Sequence, residues 1–186
     1  MSKSPQTRRS FLETLSIAGV AAVYATYPVT AKTNETMPQI QKAIFVCSVC
    51  GHVEFGTAPD ACPVCHAGKE NFGQKDSLFK ESEEKFGSAG DKHLPVITAT
   101  KKSKLVTEKP SVSVGTKIGS VIHPMEKGHH IRFIDFYIDD VYVSRLLLSL
   151  NNHPAAGCEI RKSGEKVRIV ITCNLHGYWQ NEAVIM

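Results

Sequence analysis

The sequence predicts a mainly β protein in two parts: a small four-cysteine metal domain and, after it, an antiparallel β-sandwich. Four of the six cysteines fall between residues 43 and 73, a stretch too short to fold on apolar burial alone. Beyond residue 91 no sustained helical period appears, and the β-branched and aromatic runs found there are typical of strands. A hydrophobic content of 42% is enough for packed cores but is not that of a membrane protein.

Residues 1–31 are predicted to be an export signal of the twin-arginine type. Arg8 and Arg9 precede an apolar stretch of about eleven residues, far below the roughly 20 that a membrane-spanning helix needs. The segment is therefore expected to be removed after export, with a small-residue cleavage site ending at Ala31 and no permanent membrane span left after processing. Twin-arginine signals direct the export of folded proteins, which predicts a periplasmic location. An amphipathic helix with two chance arginines is the alternative.

The rest of the chain is expected to divide near residue 90. A polar, flexible segment (32–42) leads into the four-cysteine domain (43–73). Residues 74–90 are charged and end in a Gly-Ser-Ala-Gly run, so they are interpreted as a linker with a short helix around Leu78 to Phe86. The second domain takes up residues 91–186.

Three runs carry the strand signal of the second domain: Ile131–Ile138, Val141–Val143 and Val167–Ile171. Asp139-Asp140 separates the first two, and Lys162-Ser163-Gly164 separates Glu159-Ile160 from the third, so hairpins are expected at both places. An immunoglobulin-like antiparallel β-sandwich of about 95 residues follows from this pattern.

The charge of the chain argues against nucleic-acid binding. The formal net charge is +4, and the predicted leader contributes Lys3, Arg8 and Arg9 against Glu13 alone. The remainder is therefore only weakly basic, which does not suggest a nucleic-acid partner.

Two CxxC pairs, separated by eleven residues, provide four thiols: Cys47, Cys50, Cys62 and Cys65. Each CxxC turn can direct both sulfurs at one ion, so the four can close a tetrahedral site. Gly51 and Gly56 allow the backbone to curl around it. Two disulfides are the alternative for an exported domain, and the spacing alone does not separate zinc from iron.

The residues around these cysteines closely resemble the rubredoxin-like domain of rubrerythrins. The matching segments are Phe45–Gly51, Gly56–Cys65 and Ala67–Phe72. The resemblance implies a one-iron electron-transfer centre, with zinc still possible in the four-cysteine site. His66 stands where that family usually has glycine.

The second domain is rich in possible metal ligands: His93, His123, His129, His130, His153, His176, Cys158 and Cys173. Cys173 and His176 close a predicted strand, which places both at the rim of the sheet. His123 and His129 are six residues apart, which excludes a one-face helical pair and suggests a loop. His130 and His153 are not expected to be ligands, and Cys158 is expected to begin a strand as a buried apolar side chain.

Three motifs in this domain strongly resemble the catalytic domain of superoxide reductases, the desulfoferrodoxin and neelaredoxin family. In order they are Asp91–Pro95, His123–His129 and Cys173–Gly177. The resemblance implies one iron with four imidazoles in a plane, one axial sulfur and an open sixth position. The implied ligands are His93, His123, His129 and His176 in the plane and Cys173 on the axis.

The resemblance also implies roles for two neighbouring charged residues. Lys92 matches a lysine that attracts superoxide and organises water for proton delivery. Asp91 stands where the family commonly has a glutamate that caps the open position in the ferric state, and its shorter side chain puts that capping in doubt.

The implied reaction is the one-electron reduction of superoxide to hydrogen peroxide, in a protein with two irons. Its expected partners are superoxide and an external electron donor such as a rubredoxin-like or other small redox protein, and a homo-oligomer is expected. Two alternatives remain at this stage: a non-catalytic iron electron-transfer protein, and a zinc-stabilised binding or sensing module.

Overall fold

The computed structural model describes residues 42–102 and 111–186. The predicted leader and all but the last residue of the predicted flexible segment lie outside the described residues. In the part that is described, no helix is long and apolar enough to cross a membrane. The described residues all belong to one compact unit, so the four-cysteine module and the sandwich can be considered together.

The four-cysteine module is built on a small antiparallel sheet in the order β2-β1-β3. Its strands are Ile44–Cys47 (β1), Val53–Phe55 (β2) and Phe72–Gln74 (β3). A single 3-10 turn, Lys69–Asn71, precedes β3. Strands this short cannot bury much apolar surface by themselves, so the module depends on the metal site and on its contacts with the sandwich.

The sandwich has one sheet of three strands and one of four, both antiparallel. The first, in the order β4-β5-β8, contains Pro95–Lys102 (β4), Ser111–Ile118 (β5) and Ala155–Ile160 (β8). The second, in the order β10-β9-β6-β7, contains Ile131–Ile138 (β6), Val141–Leu147 (β7), Lys166–Cys173 (β9) and Gly177–Val184 (β10). These sheets confirm the predicted mainly β fold and all three predicted strand runs.

Burial along the strands shows where the core lies. On β5 the buried positions alternate, with Val112 and Val114 facing the other sheet, as expected for a strand covered on one face only. Seven of the eight residues of β6 are buried, because one face of this strand packs in the sandwich core and the other lies under the four-cysteine module. Tyr137 of β6 accordingly belongs to the same apolar cluster as Val46 and Val53 of the module.

The two predicted hairpins had different outcomes. Asp139 and Asp140 both adopt left-handed backbone conformations, with φ of 50° and 66°, as a tight turn between paired strands requires, and they join β6 to β7. The hairpin expected at residues 162–164 is wrong. There β8 pairs with β5 while β9 pairs with β10 and β6, so the connection crosses from one sheet to the other.

The predicted linker contains two helices. The first, Leu78–Phe86 (α1), has the predicted bounds and buries Leu78 and Phe79 against the module cluster. The Gly-Ser-Ala-Gly run forms a 3-10 turn, Gly87–Ala89, and a second short helix follows, Gly90–His93 (α2). The segment is thus a packed part of the fold, because its apolar side chains find partners that the local sequence does not reveal.

Candidate metal centres

The four CxxC sulfurs converge on one point. The Sγ atoms of Cys47 and Cys65 lie 3.7 Å apart, those of Cys50 and Cys62 lie 3.6 Å apart, and all four lie within 4.8 Å of one another. Four sulfurs at roughly 2.3 Å from one metal in a tetrahedron would be about 3.8 Å apart, so the set fits a tetrahedral ion. All six cysteines of the chain are free, so the disulfide alternative is not observed.

The electrostatics of this set also favour a cation. Burial raises the pKa of Cys50 to about 12 and raises that of Cys62. The backbone N–H of Ala67 instead lowers the pKa of Cys65 to about 7. Four thiols in this space cannot all ionise without a compensating charge, so metal binding must release their protons.

The backbone of the two turns explains the glycines and one departure from the family pattern. Gly51 and Gly56 have φ of 73° and 103°, which confirms that the chain curls there. His66, immediately after the second CxxC pair, has φ of 63°. A left-handed residue with a side chain costs roughly 1–2 kcal/mol, which gives a physical reason for glycine at this position in the similar domains.

The second centre is a ring of four imidazoles. Neighbouring rings are roughly perpendicular, and their centroids lie 4.5–4.7 Å apart around the sequence His93, His123, His129 and His176. Across the ring, His93 and His129 are 5.8 Å apart and inclined by only 27°. This ring fits four ligands around one ion, and it brings together three separate segments: the end of α2, the loop before β6 and the turn between β9 and β10.

Hydrogen bonds fix which nitrogen of each ring faces the centre. His93 Nδ1–H donates to the Ala89 carbonyl at 2.7 Å, and His123 Nδ1–H donates to the Pro124 carbonyl at 2.5 Å. Both Nε2 atoms are therefore bare, yet they lie 3.1 Å apart. Two facing lone pairs repel unless a cation lies between them, and nitrogens at right angles about 2.1 Å from one metal would be ~3.0 Å apart.

The ring nitrogens of the other two histidines are also placed to bind a metal ion. His176 Nδ1 lies 3.0 Å from His93 Nε2. His129 Nε2 is buried and has no hydrogen-bond partner, although buried polar atoms normally have one. A metal ion would satisfy this nitrogen, so the residues present fit a bound cation.

Cys173, the last residue of β9, brings its thiol to the ring. Its Sγ lies 3.5 Å from His176 Nδ1, and it clusters with His93, His129 and His176 within 4.8 Å. Burial raises the pKa of the Cys173 thiol, whereas the backbone N–H groups of Leu175 and His176 lower it in part. Those two amides are placed to stabilise a thiolate, as hydrogen bonds to metal-bound sulfur do.

Burial keeps three of the four imidazoles neutral and ready to bind a metal. It lowers the pKa of His93 and His129 and brings that of His123 to about 4. Charged imidazolium cannot be a ligand, so at neutral pH these rings need not lose a proton first. His93 and His123 are buried, while His129 and His176 reach the surface, so the cluster is accessible from one side.

The two charged residues predicted beside the site differ in their relation to it. Both side chains are exposed. The Lys92 ammonium is close enough to help lower the pKa of His93 and His129. Asp91 contacts the neighbouring loop through its carbonyl, which accepts from Val121 N and Ser120 Oγ. Within the described residues no contact joins its carboxylate to the imidazoles.

Three residues next to the ligands were not singled out from the sequence. The Trp179 ring stacks on His93 at 5.0 Å, and its Nε1–H donates to the His176 carbonyl. Phe86 meets the His176 ring edge-on at 4.8 Å. The position of the only tryptophan, three residues after His176, was the one available signal.

Asn174 is the third of these residues, and it joins two ligand loops. Its Oδ1 accepts from His130 N at 2.8 Å, and its Nδ2 donates to the Gly128 carbonyl at 3.0 Å. Those two partners flank His129. Asn174 itself follows Cys173, so one side chain holds two ligands in register.

The residues that were not expected to be ligands lie outside the cluster. The His130 ring meets the Glu126 carbonyl at 3.1 Å, and His153 lies in the loop before β8. Cys158 is half-buried in the middle of β8, so the expectation that it begins a strand is wrong, although it does pack against the core.

These features define a protein with two candidate metal centres that contain cysteine, one of them on a β-sandwich. Residues 85–182 match the family model described as desulfoferrodoxin, and residues 45–73 match that of the rubrerythrin rubredoxin-like domain. The chain therefore belongs to the desulfoferrodoxin family.

Relatives match over most of their own length. A desulfoferrodoxin homologue from Archaeoglobus fulgidus is 33% identical over 139 residues, which cover 74% of this chain and 94% of the relative. A desulfoferrodoxin from Nitratidesulfovibrio vulgaris is 32% identical and covers 77% of this chain and 98% of its own. A superoxide reductase from Pyrococcus abyssi is 33% identical over 105 residues, 50% of this chain and 86% of the relative.

Proposed function

We propose that this protein is a superoxide reductase, which reduces superoxide by one electron to hydrogen peroxide. The observation that carries the proposal is the convergence of four imidazoles and the Cys173 thiol on one cluster that is accessible from one side. The relative from Pyrococcus abyssi carries the name of this activity, and the family resemblance of the three motifs supports it.

The proposed ligands of the catalytic iron are His93, His123, His129, His176 and Cys173. Bound ferrous iron would supply the electron that superoxide takes up, and the soft thiolate together with borderline imidazoles suits a ferrous–ferric pair. The Ala89 and Pro124 carbonyls orient two of the rings, as partners outside a coordination sphere commonly do. Trp179 stacks on His93 and Phe86 packs edge-on against His176, so two apolar rings cover part of the ligand set.

Lys92 is proposed to guide the anion to the site. It is exposed at the accessible side, and its positive charge is felt by His93 and His129. A cation in this place raises the local concentration of a small anion and speeds its encounter with the site. The ammonium also organises water molecules, which can donate the protons that reduced superoxide takes up to become hydrogen peroxide. Asp91 is proposed as a weak cap at most, because its carboxylate does not reach the rings.

The four-cysteine centre is proposed to hold a second iron that transfers electrons, with zinc as the alternative occupant. Its ligands are Cys47, Cys50, Cys62 and Cys65, and the match of residues 45–73 to the rubredoxin-like domain supports iron. Metal analysis of protein purified without added zinc decides the point. One iron per four-cysteine site is expected, and zinc in its place would leave that site a structural role only.

The setting of the reaction is also proposed. The twin-arginine pair supports export of the folded, metal-loaded chain to the periplasm, followed by removal of residues 1–31. A small redox protein is the proposed external electron donor, and a homo-oligomer is the proposed assembly. Fractionation of cells that produce the tagged protein, with and without Arg8→Lys and Arg9→Lys, tests the export route: retention of the double variant in the cytosol is expected, and unchanged export would contradict it.

Pulse radiolysis of the purified, iron-loaded and pre-reduced protein tests the activity. We expect the first, fast phase to consume one superoxide per ferrous catalytic iron, with hydrogen peroxide formed and no dioxygen. The fully oxidised protein is the control and should not consume superoxide in this way. No reaction of the reduced protein would point to a relay without catalysis, and release of dioxygen with peroxide would point to a dismutase.

A further inference from the structure

Three side-chain donors of the sandwich bind the first CxxC turn and the start of strand β2, which follows it. Arg145 Nη1 donates to the Cys50 carbonyl at 2.9 Å, Tyr178 Oη to the Gly51 carbonyl at 3.1 Å, and Tyr137 Oη to the Val53 carbonyl at 2.7 Å. The donors come from β7, β10 and β6. The turn that supplies two of the four thiols is therefore fixed to the sheet that supplies Cys173.

A buried ion pair keeps this contact rigid. The Arg145 guanidinium donates two hydrogen bonds of 2.6 Å to the Asp135 carboxylate. The Arg145 side chain is 7% exposed and that of Asp135 is 0% exposed. A bidentate pair of this kind fixes both position and orientation, so the Cys50 carbonyl meets a donor that is held in place.

Tyr178 differs from the other two donors because it lies close in sequence to a ligand of the second centre. It lies two residues after the ligand His176, at the start of β10, and its hydroxyl touches the residue directly after the ligand Cys50. Gly51 and Tyr178 thus join the two ligands by short stretches of covalent chain and one hydrogen bond. Tyr137 makes a similar contact from the interior of β6, eight residues from His129.

The glycine at position 51 is needed for this approach. A Cβ atom placed there would lie 2.6 Å from the Tyr178 hydroxyl, closer than real contacts allow. The backbone at Gly51 is also left-handed, with φ of 73°, which glycine adopts without strain. Both the turn conformation and the open space therefore permit the tyrosine to reach the turn.

We propose that the two metal centres exchange electrons within one chain, along the contact between Gly51 and Tyr178. The proposal rests on the proposed function, with iron in both centres. In each exchange the ferrous four-cysteine centre gives up one electron and becomes ferric, while the ferric catalytic centre accepts it and becomes ferrous. No proton moves. Tyr178 is a positioning residue, which acts by joining the two ligand segments.

Tyr178→Phe and Tyr137→Phe form a matched pair of variants. Each removes one hydroxyl that donates to a carbonyl of the same module, but only the first interrupts the connection to His176. Fully reduced, iron-loaded protein receives a pulse of superoxide that oxidises a fraction of the catalytic iron. The absorbance of the ferric four-cysteine centre then reports its loss of an electron.

We expect a first-order exchange whose rate does not depend on protein concentration. Tyr178→Phe should slow it severalfold, and Tyr137→Phe should leave it near the wild-type rate. Equal rates in all three proteins, no exchange at all, or a rate that grows with protein concentration would overturn the proposal. Superoxide consumption is recorded in the same trace before the exchange begins, so a failure of the proposed activity is seen separately.

Protein with zinc in both centres provides a readout without electron transfer. Amide hydrogen exchange of residues 47–53 measures how firmly the turn is seated, and both variants should loosen it to a similar degree. If Tyr178→Phe alone released the turn, its slower electron exchange would reflect undocking, and a specific connection through Tyr178 would be excluded.

Discussion

The two metal centres are assembled in opposite ways. All four sulfurs of the first come from residues 47–65, in two turns that each supply a pair and that lie beside a small three-stranded sheet. The ligands of the second come from three separate segments between residues 93 and 176, and the sandwich brings them together. The first centre is therefore a local property of the chain, and the second is a property of the whole fold.

The difference extends to what surrounds the ligands. Backbone amides and left-handed turns shape the four-cysteine centre, and Val49, between two of its cysteines, is 62% exposed. In the imidazole centre backbone carbonyls orient the rings, and Trp179 and Phe86 cover them. The four-cysteine centre is open to solvent at Val49, which suits contact with a redox partner. The imidazole centre is partly covered and accessible from one side, which suits chemistry on a small anion.

The largest expected effect falls on the sulfur that belongs to the second centre. Cys173→Ser should abolish superoxide consumption, because the soft anionic ligand is lost, while the sandwich stays folded. Pulse radiolysis and circular dichroism measure the two properties. Cys158→Ser, a half-buried cysteine of β8 outside both centres, is the control and should keep its activity. Normal turnover in Cys173→Ser would refute the ligand assignment.

Arg145 tests how strongly the two regions depend on each other. Arg145→Ala removes both hydrogen bonds to the fully buried Asp135 carboxylate, which then keeps the longer contact of 3.7 Å to His52 Nδ1. Removal of one partner of a buried ion pair typically costs about 3–5 kcal/mol. Chemical denaturation should show a loss of that size in the free energy of unfolding. Arg132→Ala, at an exposed arginine of β6, should change it by less than about 0.5 kcal/mol. Similar values for both variants would mean that the buried pair contributes little.

Asn174 tests whether the second centre needs its loops held in register. Asn174→Ala removes the side-chain bonds to Gly128 and His130 on either side of His129, and losses of this kind commonly weaken metal affinity or activity by about 10- to 100-fold. Competition with a chelator measures the iron affinity. Asn152→Ala removes a similar turn contact, to Ser149 N, that joins no residue of either ligand set. If both variants bound iron equally well, Asn174 would have no positioning role.

Lys92 should show the smallest effect. Lys92→Ala is expected to slow the encounter with superoxide by roughly tenfold or less and to flatten its dependence on ionic strength. The second-order rate constant at several salt concentrations measures both. Lys101→Ala removes the same charge near the far end of β4 and should change neither. An unchanged rate and salt slope in Lys92→Ala would remove this lysine from the mechanism.

The sequence predicted whatever depends on local pattern. The CxxC spacing, the runs in β6 and β9 and the turn at Asp139-Asp140 all depend on neighbouring residues, and they appear in the structure. The ligand set of the second centre came from motif resemblance, since no local rule joins His93 to His176. What the sequence could not show depends on distant pairing: the crossing from β8 to β9 and the burial of α1.

The same limit applies to side chains near the sites. Trp179 on His93, Asn174 between two loops and Arg145 on Cys50 each join residues far apart in the chain or on different strands. Their identities are compatible with many positions, and only the folded arrangement gives them a role. The sequence therefore indicated which residues could bind metal, and the structure added which side chains hold those residues in position.

The central claim is that four imidazoles and one thiolate share one iron. Diffraction from crystals of the iron-loaded protein, recorded at the iron absorption edge, tests it most directly. We expect an anomalous peak in contact with Nε2 of three rings, Nδ1 of His176 and Sγ of Cys173, at roughly 2.0–2.3 Å from each. A peak bound to fewer of these atoms, or side chains that point to different places, would contradict the claim.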